Sequence, residues 1–295
     1  MKILVTGKNG QVGFELQRAL APLGEVVAVD HAECDLADAQ AVRELVRRVA
    51  PDVIVNPAAY TAVDKAESDQ ATAFAVNAVA PRVLGEEAAR LGALVIHYST
   101  DYVFNGLKDG AYAEEDVPDP QSVYGRSKHE GEMGLAQTNP RHLILRTSWV
   151  VGAHGGNFAK TMLRLASERE RLTVVADQFG APTSAALLAD LTAQLVRQHG
   201  REGGDNFPYG TYHVAGDGET SWHDYARFVI AEALAAGKVL KATPDAVAPL
   251  STEQYPTPAK RPANSRLNTT RFRETFGLRL PHWQESLRHV LHQIF

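Results

Sequence analysis

Cysteine is almost absent: the chain has one, Cys34, in 295 residues. A lone thiol excludes an intramolecular disulfide framework and points to a reducing compartment, the cytoplasm. Long apolar runs are missing as well. Charges interrupt every apolar stretch before it reaches the roughly 20 residues of a membrane-spanning helix. The opening MKILVTG meets a glycine turn too soon to read as a signal peptide. There is no basic excess: 30 Lys and Arg against 35 Asp and Glu give a formal charge of −5. That argues against nucleic acid or a membrane surface as a partner. Metal-ligand spacing is lacking too. His213, His223 and His282 stand too irregularly for a zinc site. Asp64 and Glu67 read as a solvated turn, and His97 as structural. No internal repeat or low-complexity linker interrupts the chain.

What is present suits a large buried core, with 44% hydrophobic residues. Short runs rich in Val and Ile alternate with helical patterns through the first half. Strands are expected at Ile3–Thr6, Val26–Asp30, Val53–Asn56, Leu94–Tyr98 and Leu143–Arg146. Their consecutive apolar residues suit strands buried on both faces of a parallel sheet. Helices are expected at Gln11–Ala21, Ala39–Val49, Asp69–Leu91 and Ser122–Gln137. This β-α-β-α order predicts an α/β fold with a doubly wound parallel sheet of the Rossmann kind over residues 1–150. Residues 151–295 read as a smaller, mainly helical lobe. It has helices at Phe158–Glu168, Ala185–Gln198, Trp222–Ala236 and Trp283–Ile294, and short strands at Leu172–Val175 and Thr211–Val214. Pro249–Pro262 reads as coil, and some segments are expected to rejoin the main sheet.

The first strand runs into Gly7-Lys8-Asn9-Gly10-Gln11-Val12-Gly13, a G-x-x-G-x-x-G turn. Gly7 permits a tight turn, Gly10 lets backbone amides approach a pyrophosphate, and Gly13 allows the helix to pack closely on the sheet. The helix N-terminus then offers unpaired N–H groups to the phosphate. Asp30 closes the second strand, where a carboxylate accepts hydrogen bonds from an adenine ribose and repels a 2′-phosphate. Asp35 and Leu36 follow, near the adenine.

Tyr124-Gly125-Arg126-Ser127-Lys128 lies in a helical pattern, so Tyr124 and Lys128 share a face. A nearby ammonium should lower the phenol pKa from its usual value near ~10. Tyr124 then becomes a usable proton donor to a developing alkoxide. Ser99-Thr100-Asp101-Tyr102 and Asn56-Pro57-Ala58-Ala59-Tyr60 end two strands on the edge where such sheets bind ligands. Thr100 is placed to orient a substrate carbonyl.

These residues resemble the extended short-chain dehydrogenase/reductase family. Segments from Lys2 to about Trp283 resemble its dTDP-4-dehydrorhamnose reductase branch: GKNGQVGFELQRAL, NPAAYTAVDKAE, HYSTDYVF, VYGRSK, LRTSWV, NFAKTMLRLA, DQFGAPT, WHDYA, YPTPAKRPANSRLNT and LPHW. The resemblance implies reduction of the C4 ketone of a dTDP-linked deoxysugar by NADH or NADPH, in the final step of dTDP-L-rhamnose synthesis. It implies catalytic roles for Thr100, Tyr124 and Lys128. Cofactor contacts would fall on Gly10, Gln11, Val12, Asp30, Asp35, Leu36, Ala59, Tyr60, Thr61 and Tyr98, with Tyr124 and Lys128, and Lys8 would assist a 2′-phosphate. Substrate contacts would include Thr100, Asp101 and Trp149. For the sugar nucleotide, Lys160, Arg164, Lys260, Arg261 and Arg266 offer charge, with Arg261 foremost in its Pro-rich loop. Asn157, Gln178 and Phe179 are candidates for the base or sugar. Trp222 and Trp283 read as packing residues.

Relatives can dimerise through a magnesium ion held by carboxylates. Glu15 fits one ligand position, but Ala186 and Gln293 stand at the other two and supply no carboxylate. The expectation is therefore no metal bridge, and a monomer or weak homodimer. Two other readings stay open: an epimerase or dehydratase that retains NAD, and a non-catalytic NAD(P)-binding regulatory subunit.

Overall fold

The computed structural model describes residues 1–202, 204 and 206–295. Five strands lie where the apolar runs predict them: β1 (Lys2–Val5), β2 (Glu25–Ala28), β3 (Val53–Asn56), β4 (Leu94–Thr100) and β5 (His142–Thr147). β4 continues two residues past its apolar run because Ser99 and Thr100 keep pairing with Arg146 and Thr147. The strand Gly210–His213 pairs in parallel with β5, completing a six-stranded sheet in the order Gly210–His213, β5, β4, β3, β1, β2. Every pairing in it is parallel.

Alternate residues of each strand serve opposite faces, as the twofold period of a strand requires. Ile3, Val53, Val55, Ile96 and Leu145 pack on one side with Leu16 of α1 (Gln11–Leu20) and Leu188 of the helix Ala185–Glu202. Leu4, Ile54, Val95 and Ile144 pack on the other, against Val42 and Leu45 of α2 (Ala39–Val49) and Leu84 of the helix Ala80–Leu91. Asp38 caps α2 by accepting from the Gln40 and Ala41 amides at 2.8 and 3.2 Å.

The continuous helix expected over Asp69–Leu91 does not form. It divides into Gln70–Phe74, a π-helical turn at Ala75–Val79, and Ala80–Leu91. Pro81 lacks the N–H that an α-helix would direct at the Asn77 carbonyl. The freed carbonyl faces Gly131, where an added Cβ would stand 2.0 Å from it. Asn77 instead reaches the loop after β3, accepting from the Tyr60 amide at 2.8 Å and donating to its carbonyl at 3.2 Å. Functional regions often contain such bulges.

Beyond residue 150, the Ala185–Glu202 helix and the Gly210–His213 strand return to the main sheet. The other segments build a second core from Met162, Leu172, Tyr225, Val229, Trp283 and Leu287. Part of the expected Pro249–Pro262 coil is ordered. Val247–Leu250 is a strand paired with Leu172–Val175, with Pro249 opposite Val174. A two-stranded ladder tolerates proline because its other edge is free.

Candidate active site

Strand order reverses between β1 and β3, and their carboxyl ends open a crevice there. The glycine turn after β1 and the Pro57–Thr61 loop after β3 form its walls. They meet closely: a Cβ on Gly7, whose φ is +61°, would lie 2.9 Å from the Ala58 Cβ. The cleft has a volume of about 910 Å³. It is lined by Gly7, Gly10, Gln11, Val12, Gly13, Asp30, Asp35, Leu36, Ala59, Tyr60, Thr61, Tyr98, Tyr124 and Lys128, all of the expected cofactor residues. Thr100, Asp101 and Trp149 line it too.

The phosphate end fits a dinucleotide. No side chain caps α1, and Gly10, Gln11, Val12 and Gly13 at its start line the cleft, the place where a helix N-terminus favours a phosphate. A Cβ on Gly13 would stand 2.0 Å from the Gly7 carbonyl oxygen, so the helix sits against the turn as only glycine permits. Gln11 is held through Oε1, which accepts from the Gly152 amide at 2.8 Å and from Asn157 Nδ2 at 3.0 Å. Asn157 therefore acts through Gln11 and as the cap of Phe158–Glu168, and does not itself line the cleft. At the ribose end, Asp30 accepts from Asn9 Nδ2 and, at 2.9 Å, from the Ala32 amide. Lys8 does not point free toward a 2′-phosphate; it is paired with Glu33.

At the other end, β4 delivers Thr100 and the 3-10 turn after it delivers Asp101, while the helix Val123–Thr138 delivers Tyr124 and Lys128. Ser122 caps that helix, and a Cβ on Gly125 would stand 2.2 Å from the Tyr102 carbonyl oxygen. Helix and β4 loop are thus in backbone contact beside Tyr124. The Thr100 hydroxyl lies beside the Tyr124 phenol and donates to Asp101 Oδ1 at 3.0 Å. Asp101 Oδ2 is buried without a partner. Burial pushes the Asp101 carboxyl up to about 6.

Tyr124 differs from expectation. Burial, and then the charge of Asp101, push its phenol up to about 12 rather than down. Lys128 does not offset this. Its Nζ donates to the Tyr98 carbonyl at 2.6 Å and stands 3.1 Å from His97 Nε2. Burial also draws the amine down to about 8, opposed by Glu132 one turn further on. Without cofactor the phenol keeps its proton.

The indole of Trp149 stacks on Trp222 at a centroid distance of 3.8 Å, and both line the cleft. Trp222, expected only to pack, therefore belongs to the site. A Cβ on Gly180 would come within 2.8 Å of the Trp149 ring, which explains a glycine in the DQFGAPT segment. Gln178 lies outside the cleft and donates to Thr252 Oγ1 at 3.1 Å. Arg261 also lies outside the lining, bonded to Asp64 at 2.7 Å, with Nη1 buried and unpartnered. Three other expected cations are engaged. Lys160 donates to the Gly155 carbonyl at 2.8 Å, Arg164 pairs with Glu168, and Arg266 pairs with Glu219. Glu15 pairs with Arg18. Among the described residues no group of three or more His, Cys, Asp or Glu is arranged to hold a metal ion.

The RmlD substrate binding domain model matches residues 1–295. A dTDP-4-dehydrorhamnose reductase of Shigella flexneri is 50% identical over all of this chain and 98% of its own. A spore coat polysaccharide biosynthesis protein of Bacillus subtilis, SpsK, is 38% identical over 99% of this chain and 97% of its own. Among solved structures, a dTDP-4-dehydrorhamnose reductase of Bacillus anthracis in complex with NADP superposes with a TM-score of 0.90, at 35% identity and 99% coverage of both chains. The UDP-glucose 4-epimerase of Thermus thermophilus, at 22% identity and a TM-score of 0.80 over 100% of this chain and 99% of its own, shares the fold. With a match over its whole length and relatives at half identity, this chain belongs to the RmlD substrate binding domain family.

Proposed function

We propose that this protein reduces the C4 ketone of dTDP-4-dehydro-β-L-rhamnose to dTDP-L-rhamnose with NADH or NADPH. One observation carries the reading: Thr100, Asp101, Tyr124 and Lys128 converge at one end of a cleft whose other end is the glycine turn. The reductases it resembles over its full length support the choice of substrate.

The residues divide by role. Residues 1–150 hold the cofactor, with Gly7, Gly10 and Gly13 around its pyrophosphate and Asp30 at its ribose. Residues 151–295, apart from the segments that rejoin the sheet, hold the sugar nucleotide. Bound NAD(P)H supplies the hydride. Thr100 donates to the ketone oxygen and fixes it. Tyr124 gives its proton to that oxygen as negative charge develops there. A phenol raised by burial and Asp101 stays protonated until then. Lys128 holds the nicotinamide ribose and favours the phenolate left behind. The free Oδ2 of Asp101 accepts a sugar hydroxyl, and Trp149 on Trp222 offers a flat wall to the substrate. Asn157, Gln178 and Arg261 act from behind this surface, and Arg261, whose Nη1 is unpaired, serves the pyrophosphate. The place of action is the cytoplasm.

The test follows NADH and NADPH oxidation with dTDP-4-dehydro-L-rhamnose, with and without EDTA, and identifies the product. Substrate-dependent oxidation giving dTDP-L-rhamnose is expected. Redox-neutral turnover with retained NAD, or no oxidation, overturns the reading.

A further inference from the structure

His97 stands in the middle of β4, fully buried, directly beneath the amine of Lys128. Each ring nitrogen has one polar neighbour. Nδ1 is 2.9 Å from Asn56 Nδ2, and Nε2 is 3.1 Å from Lys128 Nζ. Asn56 in turn accepts from the Thr6 hydroxyl at 2.5 Å, and Lys128 donates to the Tyr98 carbonyl at 2.6 Å. Four side chains from β3, β4, the segment after β1 and the Val123–Thr138 helix thus form one buried chain ending in the cleft.

A count of hydrogens makes this chain more than filler. Burial, and the nearby Lys128, hold the imidazole neutral. A neutral ring has one N–H and one lone pair. An amide NH2 and an ammonium are both donors, so the ring cannot satisfy both. Two arrangements satisfy both ring nitrogens. In one, Lys128 is an ammonium and donates to Nε2. The N–H is then on Nδ1, and Asn56, its amide turned over, presents its oxygen to the ring and its NH2 to the Thr6 hydroxyl oxygen. In the other, Lys128 is an amine and accepts from Nε2–H, while Nδ1 accepts from the Asn56 amide. The two differ by one proton, carried on Nζ; the ring holds one N–H in both.

We infer that His97 is the positioning residue of Lys128, and that its tautomer changes with the charge Lys128 carries. The inference rests on Lys128 serving the reaction proposed above. A partner that can accept or donate lets a fully buried lysine change charge without leaving an unmade hydrogen bond. The amine is already drawn toward neutrality by burial. Other charged or titratable groups face this place. Glu132 lies one turn along the helix, bonded to Arg146 of β5 at 2.7 Å and to His129 at 3.3 Å. His213 of the neighbouring strand is kept neutral beside Arg146. Asp101 and Tyr124 lie on the cleft side. Glu132 is committed to Arg146, so His97 is the group free to answer a change on Lys128.

Two measurements test this. In wild-type protein with NAD bound and ¹⁵N-labelled histidine, the His97 signals, identified by their loss in His97→Gln, report which nitrogen is protonated. The N–H should move from Nδ1 to Nε2 as pH rises from neutral into the alkaline range. A ring that keeps one tautomer throughout overturns the inference and leaves the proposed reaction standing. In turnover, His97→Leu removes the acceptor of the ammonium, and charge-assisted bonds are the stronger kind. The alkaline limb of the kcat profile should move about one pH unit lower. His97→Gln, which offers oxygen or nitrogen by rotation, should restore it. An unshifted limb in folded His97→Leu overturns the inference, whereas a merely structural role would lower kcat without moving the limb. Should His97→Leu fail to fold, the tautomer measurement on wild type decides. Normal turnover by Tyr124→Phe would instead overturn the reaction and leave the tautomer result intact.

Discussion

Arg261 donates from Nη2 to Asp64 at 2.7 Å, a partner 197 residues earlier in the chain. The same carboxylate accepts from the Ala259 amide at 3.2 Å. Asp64 belongs to the short helix Val63–Ala66, just after the cleft-lining Thr61, and Arg261 to the loop expected to meet the substrate. The pair therefore ties the two halves of the site together.

Removing the arginine and removing its tether should have different effects. Arg261→Ala is expected to raise the substrate KM about tenfold or more, by losing a charge-assisted bond. Asp64→Ala leaves the guanidinium in place but loosened. The ion pair is partly exposed, and such pairs contribute about 0.2–1 kcal/mol. KM should then rise roughly twofold to fivefold, with kcat little changed. Steady-state kinetics on both variants check this, and an unchanged KM for Arg261→Ala would remove it from the substrate site.

Tyr124→Phe keeps the ring and loses the proton. A positioned acid contributes about 10²–10⁴ in rate, so kcat should fall by that order. NADH affinity, measured by fluorescence titration, should stay near the wild-type value.

Gly13→Ala should damage both the fold and the cofactor site. The added carbon would stand 2.0 Å from the Gly7 carbonyl oxygen and 2.7 Å from its carbon. Neither atom belongs to a side chain that can swing away. Overpacking of this kind costs about 1–3 kcal/mol. A lower melting temperature and weaker NADH binding are expected. Gly156→Ala, with nothing within 4 Å of its added carbon, is the control and should stay within about 0.5 kcal/mol.

Stability should fall on mild acidification. Burial, then Arg146, draws His213 down to about 3, and burial also holds His97 well below the usual 6.5. In the unfolded chain both take up a proton near 6.5; in the folded chain they do not. Their contribution is complete above 6.5 and is lost as pH falls from there, for His213 toward about 3. His213 thereby costs about 1.4 kcal/mol per pH unit over its window, and His97 adds in the same direction. Asp101, raised to about 6, acts in the opposite sense between 3.8 and 6 and offsets one of them. Melting temperatures from pH 7 downward should decline, and His213→Asn should flatten the decline. An equal slope in that variant would count against the assignment.

Much of this molecule is legible in the chain. β1 to β5 are short apolar runs that a both-sided sheet demands, and each begins within one residue of its expected start. The glycine turn declares itself because no other residue fits against Ala58 or the Gly7 carbonyl. The Tyr124–Lys128 spacing declares itself because one helical turn returns to the same face. The π-turn at Ala75–Val79 does not show in helical periodicity, since it depends on Pro81, Asn77 and the distant Gly131 together. Trp222 looks like any tryptophan opening a helix until Trp149, 73 positions earlier, is seen stacked on it.

The sequence by itself determined the sheet, the glycine turn and the placing of Tyr124 and Lys128 on one helical face, because each rests on local sterics or on a fixed helical or strand period. Only the tertiary structure decided the charge environment of that pair. Lys128 meets His97 and the Tyr98 carbonyl, and Tyr124 meets Thr100 and Asp101, through packing of β4 on a helix that follows it by over twenty residues. Burial and charge depend on neighbours in space. For that reason a phenol that spacing alone would assign a lowered pKa is instead held protonated, as a proton donor requires.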